Sequence, residues 1–195
     1  MNFAVRVLFL AACLAAAQTQ PPPKPQPAVP AELAALVKQQ FGATFTPQTN
    51  FPTPLITADF DGDGVEDAAI VATSTEPFPD SFAFKYKVVD PYMAYFGLGN
   101  PAISSSYSTI DPSRNHDLLI IFGSGPEGWR AAVPKAKFVM INLPFDDIAV
   151  GRMLIKKDKP PVYVIKARES QLLDSAVWWD IKKRKWHWEP GDTKQ

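Results

Sequence analysis

Asp59-Phe60-Asp61-Gly62-Asp63-Gly64-Val65-Glu66-Asp67 is the stretch from which the rest of the chain is best read. It packs five carboxylates into nine residues, with acidic groups at the first, third, fifth and ninth positions. Two glycines supply the backbone freedom that a tight turn needs. Apolar runs flank it, Pro54-Leu55-Ile56-Thr57-Ala58 before and Ala68-Ala69-Ile70-Val71-Ala72 after. The pattern therefore predicts an acidic loop joining two strands.

Alternate side chains in such a turn can aim at one centre. Calcium takes six to eight oxygen ligands at about 2.3–2.6 Å, from carboxylates and carbonyls. Asp59, Asp61, Asp63 and Asp67 have the spacing for this, and the Val65 carbonyl falls where a backbone ligand belongs. Two carboxylates about 4 Å apart repel by roughly 1 kcal/mol in water and about 4 kcal/mol at an effective dielectric of ~20. Four converging carboxylates would splay the loop unless a cation joined them. The competing reading is a solvated acidic turn whose Asp-Gly pairs only make a bend. An EF-hand is excluded, because its twelfth position requires a bidentate Glu. That position is Ile70, inside a β-like run.

The pattern D-x-D-G-D-G-x-x-D between strands resembles the calcium loops of FG-GAP and VCBS-type repeats, found in integrin-like propellers and in many secreted bacterial proteins. The match spans Thr57 to Val71. The resemblance implies side-chain ligands at Asp59, Asp61, Asp63 and Asp67, a carbonyl ligand at Val65, and a solvent-facing Glu66. A propeller needs several blades and so several copies. The chain has a single copy, so the propeller is not expected.

The ends of the chain read differently from its middle. Residues 1–17 have the layout of a secretory signal: Arg6, an apolar stretch from Val7 to Ala17, and Ala15-Ala16-Ala17 as a small-residue cleavage pattern. The apolar stretch is too short to cross a bilayer, which takes about 20 residues. Leu10-Ala11-Ala12-Cys13 also resembles a bacterial lipobox, which would make Cys13 a lipid anchor and the first mature residue. Residues 18–30, Q-T-Q-P-P-P-K-P-Q-P-A-V-P, form an extended tether, since proline fixes φ and removes donors. Residues 31–192 are long enough for one domain with a real core. Cys13 is the only cysteine, so this domain has no disulfide to staple it. A bound metal is the natural substitute. Twenty Lys and Arg balance twenty Asp and Glu, which excludes the basic footprint of a nucleic-acid binder. No later run is long enough for a transmembrane helix.

Pro30 to Gln40 reads as one amphipathic helix, with Leu33, Leu36, Val37 and Phe41 on one face and Gly42 as the stop. Strands are expected over Phe82–Val89, Asp117–Phe122, Phe138–Asn142 and Val162–Ile165, and in a hairpin of Ala176–Asp180 and Lys185–Trp188. The class is α+β: mostly antiparallel sheet of about seven or eight strands with one N-terminal helix. The stretch from Asp90 to Asn115 resists assignment and reads as a long irregular excursion.

Gly123-Ser124-Gly125-Pro126-Glu127-Gly128 spells G-x-G-x-x-G, but Pro126 and Pro134 leave no room for the helix a dinucleotide site requires. It reads as a glycine hairpin. Ser124 lacks the spacing of a hydrolase elbow. Trp178 and Trp188, in a hairpin beside basic residues, are candidates for an exposed face taking a glycan or protein partner. The expected function is an exported, calcium-stabilised binding or envelope-associated module without catalysis. The alternative is a hydrolase of envelope polymers, with His116 and neighbouring acids such as Asp111 and Asp117 taking part.

Overall fold

The computed structural model describes residues 31–48, 50–74, 80–98, 116–169 and 173–191. Residues 1–30, where a signal and a tether are expected, Cys13 among them, and most of the Asp90–Asn115 excursion, Asp111 included, lie outside these. In chain order the elements are α1 (Ala31–Phe41), β1 (Thr46–Pro47), β2 (Leu55–Ala58), β3 (Asp67–Thr73), α2 (Ser81–Phe84), β4 (Lys87–Val89), α3 (Pro91–Tyr95), β5 (Asp117–Phe122), a 3-10 segment (Gly125–Arg130), β6 (Ala136–Met140), β7 (Asp147–Met153), β8 (Val162–Glu169), β9 (Leu173–Asp180) and β10 (Lys185–Pro190). The described residues are mostly β, with ten strands in two sheets and a few short helices. That is more than the seven or eight strands expected, and the sheets close into neither a barrel nor a propeller.

The first sheet is built on β3. It pairs antiparallel with β5 on one side, and on the other with β2 and the two-residue β1. β6 continues the sheet beyond β5, and β4 closes it as a parallel neighbour of β6. The second sheet runs β10-β9-β8-β7, antiparallel throughout.

Because side chains alternate across a strand, a sheet covered on both faces needs apolar residues at every position. This is why Ala68 to Ala72 and Leu118 to Phe122 are continuous apolar runs. Ala69, Val71, Leu118, Ile120 and Phe122 face the second sheet and pack with Ile148, Ile165, Val177 and Trp186. Ala68, Ile70, Ala72, Leu119 and Ile121 face the other way, against Leu33, Val37 and Phe41 of α1. The layers are thus helix, sheet, sheet. Gly42, at φ 98°, ends α1 with its amide donating to the Lys38 carbonyl at 3.1 Å. Lys137 Nζ donates to the Gln40 carbonyl at 2.5 Å, tying the C-terminal end of α1 to β6.

The strand expected over Phe82–Val89 is corrected. Its first half is the single helical turn α2, Lys85 takes a left-handed φ of 55°, and only Lys87–Val89 is strand. The alternation is real, but β6 offers register partners only to Lys87, Val88 and Val89. Upstream, the backbone satisfies itself locally, with the Phe84 amide donating to the Asp80 carbonyl at 2.9 Å. Tyr86 turns inward, its ring 5.7 Å from both Phe41 and Phe45. Phe82 points out and is 94% exposed. The excursion also begins with structure: Asp90 Oδ1 accepts from the Met93 amide at 2.8 Å and caps α3.

Two substitutions separate this arrangement from an unbroken strand. Phe41→Ala removes a fully buried ring beneath the helix and should cost about 3–5 kcal/mol in a denaturant melt. Phe82→Ala should change stability by no more than about 0.5 kcal/mol. A large loss at Phe82 would mean that the segment packs as a strand after all.

Candidate metal centre

The acidic loop joins β2 to β3, whose last pair in register is Ala58 with Asp67. Asp67 is its anchor. The residue is 1% exposed, and its carboxylate accepts three backbone N–H groups: Phe60 at 2.8 Å and Asp61 at 3.2 Å on Oδ2, and Gly123 at 2.8 Å on Oδ1. One carboxylate thus fixes the start of the loop and the exit of β5. Burial nevertheless pushes its pKa up to about 7, with Asp61 adding repulsion and the three amides resisting.

The remaining acids fold the turn onto itself. Asp59 accepts from the amides of Asp63 at 3.0 Å and Gly64 at 2.9 Å. Asp61 Oδ1 accepts from the Asp63 amide at 3.2 Å, and Asp63 Oδ1 from the Val65 amide at 2.9 Å. Gly62 and Gly64 take φ of 75° and 87°, which the alternating turn requires and other residues resist. Asp59, Asp61 and Asp67 each offer a carboxylate oxygen within 4.8 Å of the others. Oxygens sharing a calcium ion at about 2.3–2.6 Å can lie up to about 5 Å apart, so the spacing of these three would allow one ion.

The fourth carboxylate is placed differently. Asp63 Oδ2 accepts from Lys135 Nζ at 2.5 Å, and the same ammonium donates to Asp61 Oδ2 at 2.6 Å. Burial raises the Asp61 pKa against the pull of Lys135. At Asp63, which is less enclosed, desolvation is outweighed by Lys135 and the Val65 amide together, and the pKa is lowered. Both carboxylates raise the pKa of Lys135. The structure thus brings together three of the four expected side chains, while Asp63 sits at the edge beside Lys135. Val65 contributes its amide to the turn.

Glu66 is exposed, as its position in the pattern implies, yet it is not idle. Its carboxylate accepts from Thr57 Oγ1 at 3.0 Å and from Trp129 Nε1 at 2.9 Å, with Arg130 at 3.6 Å. Arg130 in turn stacks 4.0 Å over the Trp129 ring. This explains the G-x-G-x-x-G run. β5 and β6 are antiparallel neighbours, but the connection is a 3-10 segment laid against the acidic loop, not a tight glycine turn. A Cβ on Gly123 would come 2.3 Å from the Glu66 carbonyl oxygen, and one on Gly128 2.9 Å from it. Close approach of two backbones demands those glycines.

Sequence reasoning missed Lys135, Trp129 and Gly123 as parts of this site. Their signal lies in register: Ala68 pairs with Ile121 and Phe122 with Ala136, so Asp67, Gly123 and Lys135 end up at one end of the sheet.

The other candidates fare less well. Trp188 is buried, packed edge-on against Tyr92 and Tyr95 at 5.0 Å, so it offers no exposed face. Trp178 is half-buried on the outer side of the hairpin and stacks on His187 at 4.6 Å. His116 packs against Phe51 and Phe145, with ring centroids 5.0 and 5.9 Å away, and its Nδ1 finds no partner among the described residues. Asp117 is fully buried in β5. No family model, curated protein or solved structure matches the chain.

Gly123→Ala should lower the melting temperature by several degrees, as expected of overpacking that costs about 1–3 kcal/mol. Unchanged melting would show that the 3-10 segment does not lie on the loop. Burial also lowers the His116 pKa from its ordinary 6.5, against partial support from Asp146. Above 6.5 the folded and unfolded states are both neutral there. Below it the unfolded chain takes up a proton that the folded chain resists, so stability falls with falling pH. His116→Phe should flatten the melting curve between about pH 6.5 and 5. An identical slope in the variant would contradict this.

Proposed function

We infer that this chain is an exported, calcium-stabilised module that binds a partner or associates with the cell envelope without catalysing a reaction. The observation that carries the reading is the convergence of Asp59, Asp61 and Asp67 oxygens at the junction of β2 and β3. Backbone N–H groups donating to Asp59 and Asp67 give the loop one defined turn, which supports this reading. Calcium bound there would neutralise the carboxylates and clamp the first two full strands of the sheet. Lys135 supplies part of that neutralisation from the edge and competes with the ion for Asp61.

Export fits this chemistry. Outside the cytoplasm a site as weak as about 10⁻⁴–10⁻³ M is filled, and a chain whose one cysteine is Cys13 has no disulfide to do the same work. The lipid-anchored form of the module uses Cys13 as its first mature residue; one acyl chain gives only marginal anchoring. His116, which the hydrolase alternative requires, is placed by aromatic packing with Phe51 and Phe145, an environment that suits a neutral structural histidine.

The test is thermal melting of the wild type and Asp61→Asn with calcium and with chelator. A ligand at about a hundred times its dissociation constant stabilises by about 2.7 kcal/mol, a rise of roughly 5–10 °C for a chain of this size. The wild type should show that rise, and Asp61→Asn should lose most of it. Equal melting of the wild type with and without calcium would refute the calcium reading.

A further inference from the structure

The two sheets leave a trough open beside β6, beneath the turn that joins β9 to β10. Two cavities of about 250 and 230 Å³ share Lys87, Phe138, Trp179 and Arg184 in their walls and so run together. The trough extends from Asp61 and Lys135 at one end to Asp90 and Ala94 at the other.

Its floor is aromatic. The Trp179 ring lies 5.2 Å from Phe122 and from Phe138, and 5.4 Å from Trp186. These contacts meet at 53° to 79°, so no two of these rings make a parallel slot for a flat base. Half-buried Trp179 is instead a single platform, suited to the C–H face of a sugar ring.

The rim is cationic. Lys87, Arg184 and Lys185 are exposed, and none of them makes an ion pair among the described residues. The two acids in the walls are already engaged: Asp61 by Lys135 at 2.6 Å, Asp90 by Asn142 Nδ2 at 2.7 Å and by the Met93 amide. Four cationic side chains, Lys87, Lys135, Arg184 and Lys185, thus stand against two carboxylates, Asp61 and Asp90, in the walls, a local positive excess in a chain whose net charge is zero. Such a local excess attracts anions. A few charged groups around an apolar floor are also how small-ligand sites fix orientation.

We propose that this trough binds an acidic oligosaccharide, one sugar ring lying on Trp179 and its carboxylate or sulfate held by Lys87 and Arg184. The trough runs on past Trp179 in both directions, which suits a chain of sugars better than a compact anion. The proposal rests on the binding-module reading above and gives that module its ligand class; it does not depend on the calcium.

The experiment titrates the full chain with a chondroitin sulfate tetrasaccharide, trigalacturonate and sialyllactose, following tryptophan fluorescence and heat. Lactose, adenosine monophosphate and inorganic phosphate serve as comparisons. At least one acidic saccharide should bind, with affinity falling as salt rises, and lactose should be at least about tenfold weaker, the loss expected for one charge-assisted hydrogen bond. Lys87→Gln combined with Arg184→Gln should weaken the acidic saccharide by at least about tenfold while leaving melting unchanged. The proposal is overturned if no acidic saccharide binds, if phosphate or the nucleotide binds as well as the saccharide, or if the double variant binds normally. Titrations in calcium and in chelator, each where circular dichroism shows a folded chain, keep the readings apart. Saccharide binding without any calcium-dependent stabilisation refutes only the metal; calcium-dependent stabilisation without saccharide binding refutes only the trough.

Discussion

A buried carboxylate that accepts three backbone N–H groups from two separate segments is the constraint on which the rest of this structure depends. Asp67 begins β3, and β3 is the strand to which β1, β2 and β5 all pair. Its Oδ2 holds Phe60 and Asp61, and its Oδ1 holds Gly123. Removing that oxygen pair would strand three buried donors at once, each carrying a desolvation cost of about 1–3 kcal/mol. The same burial that makes Asp67 a good anchor makes its negative charge expensive. A cation shared with Asp59 and Asp61 would resolve that conflict, which is the physical reason for the proposed metal. Lys135 resolves part of it from the outside, for Asp61 and Asp63.

Much of the fold was legible in the sequence because the first sheet is covered on both faces. Continuous apolar runs at Ala68–Ala72 and Leu118–Phe122 follow directly from a sheet with α1 on one side and the second sheet on the other. The helix was legible to within a residue at each end, since Leu33, Val37 and Phe41 form one stripe and Gly42 supplies the left-handed stop. β7 was not legible. It is the last strand of its sheet, with one fully buried residue, Ile148, and Gly151 in its middle, so neither alternation nor apolar content marks it. Phe82–Val89 misled for the opposite reason, because alternation predicts a strand only where a neighbour exists to pair with it.

The candidate site divides the same way. The carboxylate spacing is local, so Asp59, Asp61 and Asp67 could be grouped from nine residues. Lys135 and Gly123 reach the loop through the register of β3, β5 and β6, which no local pattern encodes. The fate of Asp63 depends on that lysine, and so could not be foreseen. The tryptophans were half legible: strand alternation separates Trp178 from Trp179, but Trp188 lies inside, in register with buried Val177 and packed against α3. Lys135 also lines one end of the aromatic trough, so the acidic loop and the trough share a wall. Asp61 belongs to both as well.

The central claim is that the loop holds one cation, and the most direct measurement is calcium stoichiometry by equilibrium dialysis of the folded chain up to about 10 mM free ion, well above the weak-site range. The account predicts saturation at one calcium per chain. A folded chain that takes up no calcium across that range would contradict it and would leave Lys135 as the counter-charge of Asp61 and Asp63.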